Sequence, residues 1–224
     1  MKKSILSISF LACLVIFTSC KDEKKNETTA TEAEAAKEVT ATAVKYTAIP
    51  EESVIEWKGA KPTGEHTGTI AIESGVMSVK EGALESGNFL IDMSSITVTD
   101  VDLEEDKKAD LEAHLKGTVE GKENHFFNTE EHPTAAFEVT GIEEKEGKLM
   151  LSGNLTIKGK KQNISFPVSV SEDGNTAMLT SETFTIDRTN WDVNYGSKSV
   201  FDDLGDKFIN DDIELVVKVK AKKA

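Results

Sequence analysis

The sequence contains only two cysteines, Cys13 and Cys20, and both lie in its first twenty residues. The rest of the chain therefore carries no thiol. This absence excludes a disulfide framework, a CxxC redox pair and a thiolate metal site from the main part of the protein. Its stability must come from an apolar core, and residues 46–224 are numerous enough to form one.

Long apolar runs are also scarce. One run, residues 5–17, follows Lys2 and Lys3 near the N-terminus. It is shorter than the roughly 20 residues that a transmembrane helix requires. A basic start, a short apolar run and small residues before a cut are typical of a cleaved export signal.

The end of this run, residues 17–20 (FTSC), resembles the lipobox of bacterial lipoproteins, in which the cysteine receives several acyl chains. Stable anchoring requires more than one such chain. We therefore predict a signal peptide over residues 1–19 and lipid attachment at Cys20. The protein would be an exported, membrane-anchored lipoprotein of the cell envelope, in the outer membrane and facing the periplasm or the surface. The alternative is a cysteine that merely lies near an ordinary signal.

Basic residues are few, with 26 Lys and Arg against 40 Asp and Glu and a net charge of −14. This excess of acid opposes binding to nucleic acid and to anionic lipid headgroups. Residues 21–45 contain no aromatic residue and consist mostly of Lys, Glu, Thr and Ala. Such a composition buries too little apolar area to offset its chain entropy. We therefore predict that residues 20–45 are the lipidated cysteine and a disordered tether.

From residue 46 onward the hydrophobic period becomes two. Residues 149–157 (LMLSGNLTI) and 164–170 (ISFPVSV) alternate between apolar or glycine positions and mostly polar ones, as in strands with one buried face. Turn signals, such as the one at residues 73–75, separate the candidate strands. About eight or nine short antiparallel strands fit either a sandwich or a barrel. Residues 102–116 break the period and predict a single surface helix.

Motifs of common enzyme chemistry are absent. The sequence has no nucleophile elbow, P-loop, HExxH or dinucleotide-binding glycine pattern. Four histidines remain as candidate ligands or bases, and no pair has the tight spacing of a local metal site. They are His66, His114, His125 and His132. We predict no catalytic residue, no metal and no cofactor. A metal-dependent enzyme stays a third hypothesis, which clustering of these histidines would favour.

Four motifs follow one another between residues 46 and 221. They are residues 111–115 (LEAHL), 125–137 (HFFNTEEHPTAAF), 153–168 (GNLTIKG followed by ISFPV) and 184–191 (FTIDRTNW). In this order they resemble the D-x-H-L helix, the D-F-F-D-V-x-x-Y-P-x-A-x-F segment, the G-D-L-T-I-K-G … P-V hairpin and the R-S-D-F/W-G strand of the YceI-like family. The family's glycine after the last aromatic is Asp192 here.

This resemblance implies both a fold and a function. The family has a lipocalin-like architecture, so we expect an all-β domain over residues 46–224. It would be a single extended antiparallel barrel of about eight strands with one short surface helix. The resemblance also implies non-covalent binding of a long-chain isoprenoid or another amphiphile in an apolar cavity, for storage or transport. Burial of apolar area supplies such binding at about 25 cal/mol per Å².

Ten residues are predicted to line the interior, because each is an aromatic in a candidate strand or the apolar member of an alternating pair. They are Trp57, Phe89, Ile91, Phe137, Leu151, Leu155, Phe166, Phe184, Leu215 and Val217. Lys61 and His66 are predicted at the mouth, where a polar headgroup would lie. An interior filled by its own side chains is the alternative. The protein would then be a closed barrel for surface interactions or stress response, without a lipid ligand.

Overall fold

The computed structural model describes residues 26–38 and 42–224. Within them the chain forms ten β-strands, one α-helix and three short 3-10 helices. The strands are β1 (Val44–Ala48), β2 (Val54–Lys61), β3 (Gly64–Lys80), β4 (Ala83–Val98), β5 (Thr134–Lys145), β6 (Lys148–Ile157), β7 (Lys160–Asp173), β8 (Thr176–Ser181), β9 (Phe184–Asp187) and β10 (Asp212–Lys223). The helices are α1 (Glu105–Lys116) and the 3-10 turns Pro50–Glu52, Arg188–Trp191 and Gly205–Lys207.

The strands form one antiparallel ring. Strands β2 to β8 are consecutive neighbours, and β10 closes the sheet by pairing with β2 on one side and with β8 and β9 on the other. Strand β1 pairs with β3 and with the end of β10. Closure leaves few free sheet edges, which is the advantage of a barrel over an open sheet. The predicted all-β antiparallel barrel with one helix is confirmed.

Strand β6 shows how the alternating sequence produces this barrel. Leu151, Gly153 and Leu155 are buried on the inner face, because successive side chains of a strand point to opposite sides. Across the β6–β7 hairpin, Leu151 pairs with Phe166 and Gly153 pairs with Ile164. The apolar residues of both strands therefore face the same interior.

Strands β3 and β4, with 17 and 16 residues, are longer than the short strands predicted. The turn predicted at residues 73–75 is wrong, since β3 continues through it with a shift of register between Ile72 and Ser74. Such a bulge inserts one residue and bends the strand without ending it. Gly75 lies within β3 and does not form a turn. A Cβ on it would lie 2.3 Å from Cδ1 of Phe89, so its absence makes room for that ring.

Helix α1 covers one end of the barrel and confirms the single helix predicted over residues 102–116. Glu112 accepts the backbone N–H of Val98 in β4 at 2.8 Å, which fixes the helix to the wall. Leu115 packs against the core. The helix ends at Lys116. The next residue, Gly117, has a φ of 77°, the left-handed conformation that is common after helix C-termini.

The interior of the barrel differs between its two ends. Near the β3–β4 and β7–β8 turns, side chains pack into a dense core, which we call the filled half; it includes Tyr46, Met77, Val79, Leu84, Val139 and Ala221. Near α1 and the β2–β3 turn, side chains instead surround an open space, which we call the hollow half. Both halves are built from the same strands.

Residues 26–38, called here the N-terminal segment, lie extended along the wall of the barrel. Backbone hydrogen bonds connect it to three strands: Thr28 N–H to Thr185 O at 3.0 Å, Thr31 and Asn163 reciprocally at 2.9 Å, and Lys37 N–H to Val139 O at 3.0 Å. The structure thus differs from the disordered tether predicted for residues 20–45. Backbone pairing, which composition does not reveal, holds this polar stretch in place.

Strand β1 begins at Val44, so the barrel starts slightly before the predicted residue 46. The predicted signal peptide and Cys20 lie outside the described residues. Among the residues that are described, no helix has both the length and the apolar character needed to cross a bilayer.

Candidate ligand-binding cavity

The hollow half encloses a cavity of about 360 Å³. Strands β2 to β10 all contribute to its lining, which is predominantly apolar. All ten residues predicted to line the interior border this space. A concave apolar site with a few polar groups is the usual form of a small-molecule site. Contact of these ten residues with a ligand stays a prediction.

Glycines in the wall allow aromatic rings to lie flat against it. A Cβ on Gly153 would lie 2.2 Å from Cζ of Phe137, and one on Gly68 would lie 2.5 Å from Cζ2 of Trp57. Together with Phe89 on its own glycine, these rings cover neighbouring strands. They therefore line the cavity without extending across it, and the space between them stays open.

A row of phenylalanines forms one side of the cavity. The rings of Phe166 and Phe184 stack with centroids 4.1 Å apart and an interplanar angle of 6°. Phe137 contacts Phe166 at a centroid distance of 5.6 Å. The row joins β5, β7 and β9, so it spans a large part of the wall with an uninterrupted apolar surface.

The two residues predicted at the mouth both border the cavity. Lys61 is exposed at the β2–β3 turn. His66 lies deeper, with its Nδ1 2.7 Å from Asp100 Oδ2, and Asp100 Oδ1 accepts the backbone N–H and the hydroxyl of Thr67. Burial alone would raise the pKa of Asp100, but the hydrogen bonds from His66 and Thr67 outweigh it and hold that pKa below its usual value.

A second polar cluster lies at the mouth, and it joins two of the candidate histidines in a contact that the sequence did not predict. His114 Nε2 lies 2.8 Å from Nδ1 of His125, and the His125 ring stacks on Tyr195 with centroids 4.0 Å apart. Phe126 packs edge-on against His114. Burial lowers the pKa of His114, and the positive charges of His125 and Lys122 lower it further. These residues come from α1 and two loops. His114 and His125 lie in two of the family motifs, but neither motif indicates that the two rings meet or that Tyr195 stacks on them.

The histidines do not assemble a metal site. His66 pairs with Asp100, whereas His114 pairs with His125. Within residues 26–38 and 42–224, no group of three or more His, Cys, Asp or Glu side chains has the arrangement of a metal site.

Trp57 supplies an unusual polar group in the cavity wall. Its indole Nε1 is buried and finds no hydrogen-bond partner among the residues that the structure describes. A buried donor without a partner costs about 1–3 kcal/mol, so such groups call for an explanation. Trp57 borders the cavity, although its Nε1 atom has almost no accessible surface itself.

The barrel, its helix and its cavity agree with a known family. Residues 46–221 match the model of the YceI-like domain. The chain belongs to the YceI-like family. The resemblance predicted from the four motifs is thereby confirmed, over the same part of the chain.

Solved structures share this fold at low sequence identity. BcnA of Burkholderia cenocepacia has a TM-score of 0.57 and 20% identity, with 78% of this chain and 99% of that chain covered. A polyisoprenoid binding domain from Saccharophagus degradans has a TM-score of 0.55 and 12% identity, with 81% and 99% covered. Identities this low show the fold alone. No protein with a curated description matches this YceI-like chain.

Arg188 has a structural role in this YceI-like domain. The side chain is buried and donates to the carbonyl oxygens of Asn210 at 3.0 Å and Ile209 at 3.1 Å. Asp211 lies 3.5 Å from the guanidinium. Burial lowers the pKa of Arg188, and the charges of Asp211 and Asp187 act in the opposite direction. The arginine thus fixes the loop that leads into β10 at the cavity mouth.

The two residues at the end of this motif explain the family's aromatic and glycine. Trp191 has no exposed surface, and its Nε1 donates to Leu155 O at 3.0 Å. Asp192 follows with a φ of 58°, in the left-handed region. Glycine adopts that conformation at little cost, which accounts for the family's usual residue. Asp192 keeps the backbone geometry and pairs with Lys160 at 3.0 Å.

Proposed function

We propose that this YceI-like protein binds a long-chain isoprenoid or another apolar amphiphile non-covalently in its barrel, for storage or transport. The enclosed apolar cavity of the hollow half carries the proposal. The family match and a structural relative described as a polyisoprenoid binding domain support an apolar ligand of this class. The protein would act by binding alone.

The cavity constrains how such a ligand is held. Its volume of about 360 Å³ lies near the lower end of the range for small-molecule sites. Part of a long chain therefore fits in the barrel as it stands, and the remainder requires the wall or the mouth to open. Each Å² of apolar surface removed from water contributes about 25 cal/mol, so tail burial dominates the affinity.

The polar end of the ligand would lie near Trp57. A small turn of the ring would bring its Nε1 to the cavity, where it would donate a hydrogen bond to a hydroxyl, carbonyl or phosphate oxygen of the ligand. His66 and Lys61 border the same cavity at its mouth. One donor with a positive group nearby favours an amphiphile over a plain hydrocarbon.

The proposed location completes this function. The export signal and the lipobox-like residues 17–20 support lipid attachment at Cys20 and a place in the cell envelope. The net charge of −14 is consistent with a body that is held at a membrane by acyl chains and not by basic patches. A lipid carrier benefits from such a position because its ligand resides in the same membrane.

Native mass spectrometry of the protein purified without detergent tests this proposal. We expect a co-purified apolar mass, or uptake of added polyprenol, that is lost in Phe166→Glu because a charge then faces the stacked rings. Ser165→Glu is the matched control, since this outward neighbour places the same charge on the outer face. A protein that arrives empty and takes up no added isoprenoid would overturn the proposal.

A milder variant tests ligand binding even if Phe166→Glu does not fold. Trp57→Phe keeps an aromatic ring in the wall and removes the indole N–H. We expect weaker binding of a polyprenol with a terminal hydroxyl and unchanged binding of the corresponding hydrocarbon. Equal affinity changes for both ligands would remove the role assigned to Trp57.

A further inference from the structure

The barrel wall has a gap between β7 and β9 that no named strand of the described residues fills. Strand β8 pairs with β7 only from Val168 onward. Strand β9 pairs with β10 on one side. The first half of β7 and the second side of β9 therefore face each other without pairing directly.

The first part of the N-terminal segment, residues 26–31, occupies this gap. It runs parallel to β9, where Glu27 bridges Thr185, and antiparallel to β7, where Thr31 bridges Asn163. Thr185 donates its N–H to Asn26 O at 3.3 Å, and Asn163 donates to Thr31 O at 2.9 Å. These residues thus act as a short additional strand of the wall.

The inner side of this strand touches the core. Residues 26–30 alternate between half-buried and exposed positions, as expected of a strand with one covered face. Ala30 is on the covered side and packs against the hydrophobic core. Phe166 of β7 and Phe184 of β9 flank the gap and line the cavity behind it.

Beyond the gap, the segment covers polar side chains on the outside of the wall. Asn154 is only 2% exposed and Asn163 only 5% exposed, although both point outward. The amide of Asn154 donates to Glu34 O at 2.7 Å and accepts the Glu34 N–H at 3.0 Å. These two bonds require an extended backbone at Glu34, and they have no role in the lipid cavity.

The strand is held mainly by hydrogen bonds. Ala30 is its contribution to the core, and residues 31–38 are exposed. Segments with few buried apolar contacts and exposed backbone hydrogen bonds open locally at low free-energy cost. The neighbouring strands have longer ladders and large buried side chains, so we expect this seam to open more readily than the pairs beside it.

We propose that residues 26–31 form a removable strand of the barrel wall, and that their departure opens a lateral passage between β7 and β9 for the lipid tail. The passage rests on the proposed lipid binding. It accounts for a cavity that holds only part of a long chain, because a tail that leaves through the side needs no wider mouth.

A reversible cross-link tests the passage. In the chain from residue 20 onward with Cys20→Ser, Thr31→Cys and Asn163→Cys place two thiols at a hydrogen-bonded antiparallel pair, where Cα atoms lie about 5.5 Å apart. The readout is the transfer rate of a fluorescent polyprenol from phosphatidylcholine vesicles. We expect oxidation to slow transfer about tenfold and reduction to restore it, since a cross-link of this kind strongly disfavours the open state.

The matched control joins two strands that stay paired. Ser152→Cys with Ser165→Cys links β6 to β7 on the outer face, and its oxidation should leave the rate unchanged. Equal rates for the oxidised and reduced Thr31–Asn163 pair would overturn the lateral passage while leaving lipid binding intact. Absence of any uptake by the parent chain would overturn both proposals.

A second variant acts in the opposite direction. Thr28→Pro with Thr31→Pro removes two N–H donors that hold the strand. We expect faster polyprenol transfer and faster hydrogen exchange at the amides of Asn163 and Thr185. Thr29→Pro is the control, because among the described residues the Thr29 N–H donates no backbone hydrogen bond. Unchanged exchange at both amides in the double variant would show that the strand does not close the wall.

Discussion

The filled half and the hollow half of this barrel share their strands, yet they use aromatic residues and glycines differently. In the filled half, Met77, Val79 and Leu84 occupy the interior, and Tyr46 adds its ring from β1. In the hollow half, Phe137 lies flat on a glycine and leaves the centre open. A cavity in a barrel thus depends on where rings can be laid against the wall, and not on a lack of large side chains.

The largest expected effect compares one substitution in the two halves. Leu84→Ala should lower the free energy of unfolding by about 3–5 kcal/mol, because it creates a void in a closed core. Leu155→Ala should cost about 2 kcal/mol, since its methyl groups already border a space. Urea denaturation measures both losses, provided that the two variants unfold with the same m-value. Equal losses would contradict the distinction between the halves.

Substitution of a glycine in the hollow half should push an aromatic ring into the cavity and make this interior more like that of the filled half. Gly153→Ala places a methyl group against the Phe137 ring and should cost about 1–3 kcal/mol while reducing the amount of lipid bound. Gly141→Ala is the control, because its nearest neighbour is Ser152 Cβ at an ordinary 3.9 Å. Thermal unfolding and native mass spectrometry provide the two measurements. Full lipid capacity in Gly153→Ala would contradict the role of flat rings.

At the mouth of the hollow half, protonation of His114 should make the stability of the protein depend on pH. Because the folded protein holds the pKa of His114 below 6.5, the unfolded chain binds more protons as the pH falls through that value. The contribution of His114 to the free energy of unfolding should therefore be fully present above about pH 6.5 and be lost as the pH falls below it. His114→Gln should show a shallower decrease in urea midpoint between pH 7.5 and 5.5. An identical pH dependence in both proteins would exclude this contribution.

The smallest effect is expected at Asp192, beside the mouth. Asp192→Gly should relieve the left-handed backbone and lose an exposed ion pair with Lys160, for a net gain below about 1 kcal/mol. Lys160→Ala measures the ion pair alone. Differential scanning calorimetry resolves both changes, and a loss of stability in Asp192→Gly would show that the ion pair outweighs the strain.

Alternation in the sequence was sufficient to place Leu151 and Leu155 inside the barrel, since the period of a strand is fixed by its geometry. It did not distinguish the two halves, because Leu84 and Leu155 have the same pattern. Gly75 suggested a turn, and its actual role depends on the Phe89 ring from another strand. These contacts arise only when strands are paired.

Two other features were beyond the sequence for different reasons. His114 and His125 are 11 residues apart and Tyr195 lies on a distant loop, so no spacing rule indicates their contact. The N-terminal segment is polar, and composition predicts disorder for such a stretch. Its position results from backbone hydrogen bonds at a gap in the wall, which no residue type reveals.

If the protein carries the proposed lipid anchor, the docked N-terminal segment would also limit how far the barrel stands from the membrane. With lipid attached at Cys20, as proposed, a free tether to residue 45 would give a r.m.s. distance of roughly 25–30 Å. With the chain docked from Asn26 onward, six Cα–Cα steps separate Cys20 from the barrel wall, and they span at most about 22 Å. Asn26 precedes Glu27, which lies at the seam between β7 and β9. The side of the barrel that opens would therefore be the side turned toward the bilayer.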